Sequence, residues 1–102
     1  MKYNKLIRDK ISEIMNSKAV KHSTHVADEA EYSLKLKEKL IEEVNEYIES
    51  EDLAEIADIL EVIDAICANK NFSKDELTRI KAQKREEKGG FTKRIILDET
   101  ES

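Results

Sequence analysis

The chain has 102 residues, enough for a single domain with one modest core. It is 40% charged and 39% apolar, with 5% aromatic residues, two glycines and no proline; its apolar residues cluster at helical spacing, which argues for helices and against a disordered chain. The net charge of −5 is spread as +3 over residues 1–28, −10 over residues 29–64 and +2 over residues 65–102, and so acidic a middle repels phosphate backbones and argues against a nucleic-acid groove.

In chain order, Tyr3-Asn4-Lys5-Leu6-Ile7-Arg8-Asp9-Lys10 reads as an extended or irregular arm, followed by a helical turn through Ile11, Ile14 and Met15. Residues 16–28 are polar and read as a loop with a short strand. Asp28 or Ser33 caps a helix expected to run to about Glu49, with Leu34, Leu40, Ile41, Val44, Tyr47 and Ile48 on one stripe. Ser50 reads as the N-cap of a second helix, Glu51 to about Asn69, and so short a break implies an antiparallel hairpin. Ser73 and Glu76 form a Ser-x-x-Glu capping box opening a third helix from Lys74 to near Lys88, which Gly89-Gly90 ends. The β-branched segment Phe91–Leu97 is suited to pair with the arm, and the tail Asp98–Ser102 to fray. The expected fold class is all-α: an antiparallel helical hairpin plus a flanking helix, packed into a multi-helix bundle by dimerisation, with short extended segments in the arm and near residues 91–97. One domain, residues 1–102, accounts for the whole chain.

Cys67 is alone on an apolar face, so the sequence offers no disulfide framework and no cysteine-based zinc site, and the residue reads as core. No apolar run is long enough to span a bilayer, and the first residues lack a signal-peptide core, which sets the expected compartment as the cytoplasm with no membrane partner.

The second helix carries the chemical signal. Leu53, Ile56, Ile59, Leu60, Val62, Ile63, Ile66 and Cys67 cover about half of its circumference at ~100° per residue, yet Glu55 falls within or at the edge of that arc, with Asp58 one turn on. Buried carboxylates are costly without a positive partner, and no lysine or arginine occurs between Glu51 and Asn69. The first helix offers Glu42, Glu43 and Glu46, the last two at the same i, i+3 spacing as Glu55 and Asp58, so an antiparallel hairpin brings four carboxylates to one point. A Glu-Glu-x-x-Glu run alone is ordinary solvated surface; the second pair on an apolar helix is what points to a metal. Hard oxygen ligands select Mg2+, with Mn2+ as substitute, and such an ion commonly completes its shell with substrate phosphates.

Glu42-Glu43-Val44-Asn45-Glu46 followed by Glu55-Ile56-Ala57-Asp58 resembles the signature of the MazG-like all-α nucleotide pyrophosphohydrolases, with a short gap between the two halves. Tyr3 to Ile11, and Lys84 to Phe91 followed by Lys93 to Leu97, look like the opening and ending of the phosphoribosyl-ATP pyrophosphohydrolase-like subgroup. The resemblance spans nearly the whole chain. It implies a helical core that assembles as a homodimer or homotetramer, and a nucleotide substrate cut to monophosphate and pyrophosphate. It also implies Glu43, Glu46, Glu55 and Asp58 as magnesium ligands and Glu42 as a catalytic group, either supporting the ligands or acting as the base that orients water. Basic side chains must then hold the outer phosphates, and Lys5, Arg8, Lys88 and Arg94 are the candidates within the matching segments. Phosphoribosyl-ATP hydrolysis in histidine synthesis is an alternative substrate reading, and a non-enzymatic helical adaptor an alternative function. A di-iron bundle is disfavoured, because such sites use Glu-x-x-His and the last histidine is His25.

Overall fold

Helix starts and stops follow the local chemistry closely. In a computed structural model describing residues 2–101, the chain forms α1 (Ile11–Ser17), α2 (Glu29–Ser50), α3 (Leu53–Asn69) and α4 (Lys74–Lys88). Asp28 caps α2, its side chain accepting the Glu31 N–H at 2.9 Å and so satisfying one of the donors that a helix start leaves unpaired. Glu51 ends α2 in the left-handed region at φ +58°, its N–H donating to the Tyr47 carbonyl at 2.7 Å.

The second helix starts later than expected. Ser50 is the last residue of α2, and Asp52 holds the N-cap position of α3. The Ser50 hydroxyl still serves the turn, accepting the Asp52 N–H at 3.2 Å. Two residues, Glu51 and Asp52, therefore join the helices, and α2 and α3 pack against each other as a hairpin. Leu36 of α2 and Val62 and Cys67 of α3 are its buried apolar residues, which places the lone cysteine in the core.

No strand forms among the described residues. The segments expected to be extended, within residues 16–28 and Phe91–Leu97, have β-branched side chains, but such residues favour strand only where an edge to pair with and a face to bury are both supplied. Ser102, the end of the expected frayed tail, lies outside the described residues.

The chain divides into one unit ending at Lys70 and another beginning at Asn71. In the first, the arm is fastened to the hairpin: the Lys35 ammonium donates to the Asn4 carbonyl at 2.8 Å. In the second, Ser73 caps α4 by accepting the Glu76 N–H at 3.2 Å, as the capping box predicts. Gly89 then ends α4 at φ +83°, a conformation that glycine adopts without the strain of a Cβ, and its N–H donates to the Arg85 carbonyl at 2.8 Å.

Candidate metal centre

The two-residue turn sets the levels of the acidic residues. Glu46 lies five positions before it and Glu55 three after it, on opposite helices, and Glu43 and Asp58 one turn farther, so antiparallel packing brings the two pairs together. The result is a cluster: one oxygen each from Glu43, Glu46, Glu55 and Asp58, all within 4.8 Å of one another. Glu46 is exposed, Glu55 and Asp58 are half-buried, and Glu43 is only 6% exposed.

Glu43 distinguishes this cluster from a solvated acidic face. Its Oε2 and the Oε2 of Glu55 are buried without a hydrogen-bond partner. An unsatisfied buried polar atom costs about 1–3 kcal/mol, and more when charged, a cost that a cation or a proton at this point would relieve. The donor set fits magnesium or manganese: all carboxylate oxygen, from two rigid helices, with a spread close to the ~4.2 Å between opposite ligands of a magnesium ion.

Cations of the protein already meet part of this charge. Lys39 lies one turn before the acids on α2; its Nζ is 3.2 Å from Glu42 Oε2 and 3.3 Å from Glu43 Oε1, and its side chain is 15% exposed. From the arm, Lys5 Nζ donates to Glu42 Oε1 at 2.9 Å and Arg8 donates to Asp58 Oδ1 at 2.7 Å. The absence of basic residues from α3 therefore does not leave Asp58 without a partner: Arg8 reaches it from 50 positions away. The arm contacts are the weaker ones. Arg8 and Asp58 have 55% and 37% exposed side chains, and pairs so open to water contribute about 0–1 kcal/mol.

Titration differs sharply between neighbours. Burial alone would raise the Glu42 carboxyl, but the hydrogen bonds and charges of Lys5 and Lys39 outweigh it and hold the group below the ordinary carboxylate range. The Glu42 hydrogen bond in turn raises Lys5. Burial and the adjacent Glu46 push the Glu43 carboxyl up, and Lys39 only partly offsets them.

Of the residues singled out in the sequence, the four expected ligands come together, and Glu42, Lys5 and Arg8 stand on their border. Lys88 and Arg94 are exposed residues of the second unit, Arg94 at φ +59°. The two histidines are engaged elsewhere: His22 shares a 2.7 Å hydrogen bond with Ser12, and His25 pairs with Glu31 at 2.9 Å. Lys39 is the site residue that sequence reasoning passed over, although its i, i+3 and i, i+4 spacing to Glu42 and Glu43 carried the signal.

Against known proteins, no family model, no curated protein and no solved structure matches this chain.

Proposed function

We propose that the chain is a magnesium-dependent pyrophosphohydrolase of the MazG-like type, hydrolysing a nucleotide polyphosphate between its α- and β-phosphates. The observation that carries this reading is the convergence of Glu43, Glu46, Glu55 and Asp58 within 4.8 Å around two buried, unpartnered carboxylate oxygens. The resemblance of these residues, and of the chain's two ends, to that superfamily supplies the substrate class.

In this reading the four carboxylates hold the ion, which when bound neutralises phosphate charge and acidifies water. Water adds to the α-phosphorus, the bond to the bridging oxygen breaks, and pyrophosphate leaves with that oxygen while the water's proton passes to a carboxylate of the cluster. Glu42 orients the water. Lys39 on one of its oxygens, and Lys5 on the other until phosphate draws it away, hold its carboxyl low and make it a poor proton acceptor, which favours the positioning role over that of base. Lys5 and Arg8 supply positive charge for the outer phosphates.

The reading includes a cytoplasmic homodimer or homotetramer. No helix among the described residues is long and apolar enough to cross a membrane. Leu34, Ile41 and Ile48, spaced by seven on α2, and Leu53, Ile56 and Leu60 on α3 remain exposed, Leu53 at 84%, and a second copy would cover them.

The test is release of pyrophosphate from nucleoside triphosphates, deoxynucleotides and phosphoribosyl-ATP, with and without Mg2+, for the wild type and a Glu43→Gln, Glu55→Gln double variant. Magnesium-dependent pyrophosphate that the variant does not release is the expected result, and the rates separate nucleotide-pool clearance from histidine synthesis. Orthophosphate would move the cut to the terminal phosphate. No product, together with melting unaffected by Mg2+, would leave the adaptor reading in place.

A further inference from the structure

Two cations of the arm hold carboxylates at the cluster, Arg8 one of its four members and Lys5 the neighbouring Glu42. Arg8 holds Asp58 Oδ1 at 2.7 Å, and Lys5 holds Glu42 Oε1 at 2.9 Å beside the cluster. Lys39 differs in kind, being 15% exposed and anchored on the same helix as Glu42 and Glu43, so its backbone stays beside them whatever the arm does. Lys5 and Arg8 sit on a segment without regular secondary structure, 44% and 55% exposed, which Lys35 fastens to the hairpin at the Asn4 carbonyl. Formal charge shows what their departure changes. The five carboxylates Glu42, Glu43, Glu46, Glu55 and Asp58 against Lys5, Arg8 and Lys39 leave −2, the charge of one divalent ion; with Lys5 and Arg8 lifted away the remainder is −4.

Resting on the metal-centre reading above, we propose that the arm is an exchangeable counter-ion. A divalent ion entering the cluster displaces Arg8 from Asp58, and the freed guanidinium, with Lys5 beside it, becomes the clamp for the polyphosphate. Ion binding thereby prepares the anion-binding half of the site, and the order is fixed: cation first, phosphates second. Arginine suits this transfer, because the same planar fork that pairs with a carboxylate pairs with a phosphate.

The test uses the full chain and two readouts independent of catalysis. Binding of Mn2+, followed by loss of the free-ion spin-resonance signal, is compared between the wild type and Arg8→Gln. Removing a competing positive charge should tighten binding by about three- to tenfold. Amide hydrogen exchange of residues 3–10 in the wild type should accelerate when Mg2+ replaces EDTA at constant ionic strength. Equal or weaker Mn2+ binding by Arg8→Gln, or an arm equally or better protected in Mg2+, overturns the exchange while leaving the metal centre standing. Failure of both proteins to bind Mn2+ overturns the metal centre itself, and the exchange with it.

Discussion

Glu43 is a carboxylate held where burial works against its charge. It is buried beside Glu46 with one oxygen unpartnered, and its carboxyl is raised by that burial. The native state thus holds the Glu43 proton more tightly than the unfolded chain does. The stability this contributes is complete below the ordinary carboxylate value and is lost as pH rises through the raised one. Glu42 works in the opposite sense: held below its ordinary value by two lysines, it contributes stability above that value, which is lost as pH falls through the lowered one. Glu43→Gln should therefore stabilise the protein in EDTA at pH 7 by about 1 kcal/mol, a few degrees in Tm at this size. That gain should fade in acid, where the wild-type carboxyl is itself protonated. Mg2+ should raise the Tm of the wild type and leave that of the variant unchanged. Urea unfolding at two pH values and melts with and without Mg2+ check all three; a variant less stable at pH 7 and equally responsive to Mg2+ would refute this account of Glu43.

At the scale of elements, the two-residue turn determines whether the acid pairs meet. Glu51 holds the left-handed conformation at φ +58°, which costs an ordinary residue roughly 1 kcal/mol and a glycine far less. Glu51→Gly should stabilise the hairpin by about 0.5–1 kcal/mol in urea unfolding, with the Mn2+ affinity unchanged because Glu51 lies outside the cluster. The hairpin and its four acids were legible in the sequence, since each rests on a short-range regularity: apolar residues at helical spacing, and acids at i, i+3 on both sides of a short break. The start of α3 was not legible: Ser50 and Asp52 are both residue types that favour an N-cap, and only the packed turn gives the position to Asp52. The arm's contacts left no such trace. Lys5 with Glu42 and Arg8 with Asp58 join residues 37 and 50 positions apart, and no periodicity marks which surface lysine or arginine will meet which acid.

At the scale of the whole molecule, the imbalance between buried and exposed apolar surface stands out. Among the described residues Leu36, Val62 and Cys67 are the buried hydrophobic ones, while Ile41, Ile48, Leu53 and Leu60 remain in the open. A second copy covering those residues would make Tm rise with protein concentration. In sedimentation, the wild type should run as a dimer or larger, and Ile41→Lys with Leu60→Lys should shift it towards monomer and lower its Tm; a wild type that is monomeric at tens of micromolar would refute the assembly. The spacing of the contacts also carries a kinetic order. The four clustered acids fall within the stretch Glu43–Asp58, so the chain closes a loop of 15 residues to bring them together, whereas the Arg8–Asp58 pair closes one of 50. Loop-closure entropy makes the longer loop about 1 kcal/mol more costly before any contact offsets it. Local contacts form early and distant ones late. During folding, the acidic cluster should therefore assemble while the arm is still free, the carboxylates meeting each other before they meet Arg8.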